Sequence, residues 1–185
     1  MKLTVFQFEG TPEELDGSSA VRELMERHGR AHLAGAAMAE SGEEVPDRVP
    51  GVADEGQAIL RGLLRRSPAP GLFVRFMAET TTWENVVVHG IKRKGAEAGE
   101  PLDYGSYLRL RRQGSRFGGF AYVYAQYSSV NLRLDLGKEA LQELRTRAAR
   151  ILTTGHPAYR VSVDLTDDKG LEDALKLAKL AYNAT

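Results

Sequence analysis

YLRLRRQGSRFGGFAYVYAQYSSVNLRLDL, residues 107–136, decides the fold. From Tyr107 to Arg111 the side chains alternate. Tyr107, Arg109 and Arg111 fall on one face and Leu108 and Leu110 on the other, the period of a half-buried strand. Gln113, Gly114 and Ser115 turn the chain. Phe120, Tyr122 and Tyr124 alternate along the return, and in a third run Leu132, Leu134 and Leu136 oppose Asn131, Arg133 and Asp135. Alternation that persists across two turn signals specifies an antiparallel meander over residues 104–136. The same stretch poses a functional question. Arg109, Arg111, Arg112 and Arg116 accompany five rings, Phe117, Phe120, Tyr122, Tyr124 and Tyr127. Rings on the arginine face would make a surface for stacking and phosphate contact; rings on the leucine face are core. Three large rings in alternation point to the leucine face.

Upstream, ADEGQAILRGLLRR (residues 53–66) is helical. Asp54 and Glu55 start it and Arg65 and Arg66 end it, in keeping with the macrodipole, and Ile59, Leu60, Leu63 and Leu64 give an apolar face. Residues 71–79, GLFVRFMAE, fit a helix through Leu72, Phe73, Phe76 and Met77, or a strand by alternation. In the next segment Thr81 and Glu84 have capping-box spacing, Trp83, Val86 and Val87 share a helical face, and Gly90 terminates; the valine run also has strand character. The expectation is helices across 53–90. Downstream, 138–152 (KEALQELRTRAARIL) predicts a helix, 159–165 (YRVSVDL) a strand and 171–183 a closing helix.

At the N-terminus, LTVFQF reads as a strand and SAVRELMERHG as a helix, so residues 1–29 form a β-α unit. Residues 30–52, with Pro46 and Pro50, lose periodicity and predict a flexible linker, leaving 53–185 as the main domain. The fold class is α+β: an antiparallel meander with helices, plus an N-terminal β-α unit.

Composition narrows the functions. The chain has 185 residues, 42% hydrophobic and 27% charged, and no cysteine. Disulfides, thiol catalysis and cysteine-bound zinc are excluded. No apolar run approaches the roughly 18 residues of a membrane span, and the first residues lack a signal core, so a cytoplasmic protein without membrane contact is expected. Net charge is zero but uneven: residues 1–50 hold 10 Asp/Glu against 5 Lys/Arg, and residues 91–152 hold 12 Lys/Arg against 6 Asp/Glu.

The last sixty residues carry a resemblance. Tyr159, Val161, Val163, Leu165, Leu171, Leu175, Leu177 and Tyr182, following the leucine-rich strand VNLRLDL, fit a pattern similar to the C-terminal part of the double-wing (YjbR-like) fold. They also resemble a related family of unknown function labelled predicted transport proteins. The resemblance implies a meander, helix, strand and helix in that order. It carries no catalytic residue.

The functional expectation rests on charge. Three helices followed by a basic hairpin is the order of a winged helix, with residues 82–90 entering the major groove and hairpin arginines on phosphates or in the minor groove. The nucleic-acid-binding candidates are Lys92, Arg93, Lys94, Arg109, Arg111, Arg112 and Arg116, and the partner is DNA or RNA. Against this, the recognition segment has no Arg or Lys before Lys92, and charges on an edge strand also serve to prevent aggregation. The alternative is a self-associating, dimeric adaptor whose acidic N-terminal unit docks on the basic sheet.

Other motifs lead to bland readings. His28 and His32 have chelating spacing, but Gly29 ends their helix. Asp167 to Lys169 matches the Asp-x-Lys of metal nucleases and is better explained as the turn before a helix. There is no Walker loop, dinucleotide fingerprint or nucleophile elbow. No catalytic residue, metal ligand or cofactor is nominated, and the protein is read as non-enzymatic.

Overall fold

The computed structural model describes residues 47–93, 95–115, 118–126, 129–139, 141, 146 and 148–185. They lie in the unit running from Glu43 to Thr185. The proposed β-α unit of residues 1–29, most of the proposed linker, Lys94, Arg116, Phe117 and Tyr127 fall outside the described residues.

The element order is α1 (Asp54–Leu64), α2 (Pro70–Thr80), β1 (Val86–His89), β2 (Leu108–Arg112), β3 (Ala121–Ala125), β4 (Val130–Leu134), β5 (Ala149–Ile151), β6 (Val161–Leu165) and α3 (Asp168–Ala184). The strands form one antiparallel sheet in the order β1-β2-β3-β4-β6-β5. The meander is therefore the middle of the sheet, and the class is α+β. Among the described residues no helix is long and apolar enough to cross a membrane.

The core is the leucine face. Leu108, Leu110, Val123, Val130, Leu132, Leu134 and Val163 are wholly buried, and the helices pack on them: α3 over β6, β4 and β3, α2 against α3 and β4, and α1 against β3. Phe73, Phe76 and Met77 fill the layer between, which settles residues 71–79 as helix. Of the apolar face expected on α1, Leu60 and Leu64 are buried and Ile59 is left 44% exposed. The closing helix starts earlier than residue 171 because the Asp167 carboxylate caps it, accepting from the Gly170 N–H at 2.6 Å.

Three expectations are corrected. First, residues 82–90 are not a helix. The chain turns at Asn85, in the left-handed region at φ 57°, and Val86–His89 pair with β2. A run of β-branched valines beside an available strand outweighs the capping-box spacing. Among the described residues two helices, not three, precede the hairpin, and these residues hold no recognition helix. Second, the helix expected over 138–152 does not reach its end: Glu139 and Leu141 are helical, but Ala149–Ile151 form strand β5 on the edge beside β6. Residues 140, 142–145 and 147 lie outside the description. Third, the end of the linker is fixed. Val49 and Val52 belong to the core. Gln57, buried on α1, accepts from the Val49 N–H at 2.8 Å and donates to the carbonyls of Val49 and Val52 at 3.0 and 2.8 Å. One amide supplies the backbone partners that an irregular segment lacks.

Candidate nucleic-acid interface

Register places the side chains of the second sheet face. Arg111 stands opposite Val87, Arg109 opposite both His89 and Tyr122, Tyr122 opposite Arg133, Tyr124 opposite Asn131, and Asn131 opposite Asp164. His89, Arg109, Arg111, Tyr122, Tyr124, Arg133 and Asp164 therefore share the face turned away from the helices. Tyr107 joins them, its ring 4.9 Å from that of Tyr122 and 5.1 Å from that of Tyr124. Tyr122 also stacks on Tyr159 at 4.0 Å, giving a row of four tyrosines. Tyr159 is anchored by its hydroxyl, which donates to the Gly119 carbonyl at 2.7 Å. Burial, with the Tyr122 hydroxyl beside it, raises the Tyr159 phenol above its ordinary range.

The expectation that the alternating rings are core is thus corrected for two of three. Tyr122 and Tyr124 are half-buried on the arginine face, while Phe120 is wholly buried on the other. A bulge causes the switch. Phe120 donates its backbone N–H to the Leu110 carbonyl at 2.9 Å, although the register partner of Leu110 is Ala121. Two residues then oppose one and the alternation slips. Gly119 makes this possible, since a Cβ there would lie 2.8 Å from the Leu110 carbonyl oxygen. Phe120 consequently meets Trp83 and Tyr182, with ring centroids 6.0 and 5.6 Å apart.

The two halves of the face differ electrostatically. Toward β4, β5 and β6 the polar groups satisfy one another. Asn131 donates to Ser162 Oγ at 2.8 Å and Asp164 Oδ1 at 2.7 Å, Arg133 Nε donates to Asn131 Oδ1 at 2.8 Å, and Arg150 pairs with Asp164. Toward β1 and β2 they do not. Among the described residues Arg109 Nε and Arg111 Nε are buried without a hydrogen-bond partner, and no carboxylate pairs with either guanidinium. The Arg109 guanidinium lies 5.7 Å from the centre of the Tyr122 ring, a cation–π distance. Two half-buried cations with no carboxylate paired to them among the described residues leave a positive field on this half of the face.

His89 registers that field. Its ring is exposed, yet partial desolvation and then the charges of Arg111 and Arg109 lower its pKa below the ordinary histidine value. An Arg109→Gln, Arg111→Gln variant should titrate His89 at higher pH than the wild type, while staying below about 6.5 because desolvation remains. NMR titration of the imidazole measures this; an unmoved midpoint would mean that the guanidiniums do not act on His89.

The seven sequence candidates separate. Arg109 and Arg111 come together. Arg112 points to the helical layer, its guanidinium 5.2 Å from the Tyr182 ring centre. Lys92 and Arg93 follow β1, and Arg93 faces Asp103 at 3.6 Å. Lys94 and Arg116 lie outside the description. The face adds His89, Arg133 and Tyr159, which were not among the sequence's binding candidates; alternation put Arg133 on the polar side of its strand, but the strand order was needed to bring it beside Tyr122 and Tyr124.

Other candidates resolve structurally. Asp167 caps α3, Asp168 pairs with Arg75, and Lys169 pairs with Asp173 at 2.7 Å, so the Asp-x-Lys sequence is spent on the helix. No group of three or more metal-ligating side chains occurs among the described residues; His28 and His32 lie outside them. Comparison with protein-family models, curated proteins and solved structures finds no match to the chain.

Proposed function

We propose that the protein binds nucleic acid through this tyrosine–arginine face. The observation that carries the reading is the Arg109–Arg111 pair, half-buried beside a row of tyrosines and without a carboxylate partner among the described residues. Phosphate oxygens are the acceptors that planar guanidinium donors fit, and aromatic rings next to them offer contact to bases. The mode differs from a winged helix, because the sheet surface and not a helix meets the ligand.

Titration of labelled mixed-sequence oligonucleotides into the full chain tests it. Saturable binding at low salt is expected, with log affinity falling linearly against log salt, by about 0.7 to 0.9 for each phosphate neutralised. Absence of binding at low salt would overturn the reading and leave an acidic protein segment as the partner of the face.

A further inference from the structure

Within the reading of the face as a nucleic-acid surface, we propose that its ligand is a single strand, with phosphates on Arg109 and Arg111 and an unpaired base stacked at the Tyr107–Tyr124 end of the tyrosine row. A duplex groove admits a helix or a two-stranded ribbon. Here the arginines and tyrosines stand in the middle of a six-stranded sheet, on β2 and β3, with β1 on one side and β4, β6 and β5 on the other. Such a surface is too broad for a groove, whereas a single strand can lie across it with its bases turned down.

The row itself says which ring receives a base. Tyr122 is occupied on both sides, by Tyr159 at 4.0 Å and Tyr107 at 4.9 Å. Its hydroxyl neighbour Tyr159 is tied to Gly119, so this part of the row is rigid. Among the described residues Tyr124 ends the row, with Tyr107 on one flank at 5.1 Å and the Arg133 guanidinium over its ring at 5.8 Å, a cation–π distance. Arg133 is itself held through Nε by Asn131, which keeps it beside the ring as a cation for the stacked base or its phosphate. Arg109 and Arg111 lie two and four residues along β2 from Tyr107, about 7 and 13 Å at the rise of a strand, a span of nucleotide dimensions. The phosphate positions thus follow β2 away from the base position at Tyr107 and Tyr124.

Fluorescence anisotropy with four probes tests this on the full chain: a mixed-sequence strand of about 12 nucleotides, its duplex, an abasic strand of equal length, and inorganic polyphosphate as competitor. The single strand is expected to bind at least about tenfold more tightly than the duplex or the abasic strand. Tyr124→Ala should reduce the single strand to the level of the abasic strand on the same variant, and Tyr124→Phe should retain the preference, since stacking needs the ring and not the hydroxyl. Equal affinity for single strand, duplex and abasic strand would overturn the single-strand proposal while leaving nucleic-acid binding in place. Full retention of the preference in Tyr124→Ala would overturn the assignment of the base to this ring. Binding of none of the probes would instead overturn the reading of the face itself. Matching thermal melting curves for the variants keep loss of fold from being mistaken for any of these results.

Discussion

Replacing Phe120 by alanine is expected to destabilise the domain by about 3–5 kcal/mol, the range for truncating a fully buried phenylalanine. The ring has no exposed surface, and it joins three elements distant in sequence: the turn before β1 through Trp83, the start of β3, and α3 through Tyr182. Tyr182 in turn donates its hydroxyl to the Glu84 carbonyl at 2.8 Å, so loss of the ring also loosens the turn that Glu84 belongs to. Chemical denaturation measures the effect, with Tyr122→Ala as the comparison. Simple alternation would put positions 120 and 122 on the same half-exposed face and make the two costs alike. The bulge makes Phe120→Ala much the more damaging. A cost below about 1 kcal/mol at position 120 would contradict the inward placement of the ring.

Charge reversal at the centre of the face has the largest expected effect on binding. Arg109→Glu combined with Arg111→Glu replaces two cations by two anions, and a phosphate that was attracted is repelled. A loss of oligonucleotide affinity of about 100-fold or more at low salt is expected, together with a salt slope shallower by about two. Arg65→Glu, an exposed change at the end of α1 on the opposite layer, should leave both unchanged. A double variant binding as the wild type does would place the ligand elsewhere. Equal losses from the Arg65 change would mean that net charge, and not this face, sets the affinity.

Much of the architecture is legible from local pattern. The strands of the meander alternate over several residues with short polar connections between them, the first rich in glycine, and α1, α2 and α3 each present apolar residues at helical spacing. What the pattern could not supply is pairing. Trp83, Val86 and Val87 satisfy a helical spacing and the valines satisfy a strand; only the presence of β2 beside them decides. Ala149–Ile151 has three residues and no alternation to recognise, and it becomes a strand because β6 offers a free edge. Phe120 follows the alternation of Tyr122 and Tyr124 in the sequence and leaves it in space, because Gly119 lets the backbone come closer to Leu110 than any side chain would allow. The site has the same division. The common face of Tyr107, Arg109 and Arg111 follows from their spacing alone. The approach of Arg133 and Tyr159 depends on β3 lying next to β4 and β4 next to β6, a property of the sheet as a whole.

The central claim is that one sheet face, and not the helical layer, meets nucleic acid. Titrating a single-stranded oligonucleotide into isotopically labelled full-length protein and following both the backbone amides and the arginine Nε–H signals tests it most directly. The account predicts that Arg109 Nε and Arg111 Nε move most, because on the sheet face they are the buried nitrogen donors with no hydrogen-bond partner among the described residues, accompanied by His89, Tyr107, Tyr124 and Arg133, while α2, α3 and α1, including its likewise unpartnered Arg61 Nε, stay still. Shifts concentrated on the helices, or on the exposed Lys92–Arg93 loop with the Arg109 and Arg111 signals unmoved, would contradict it.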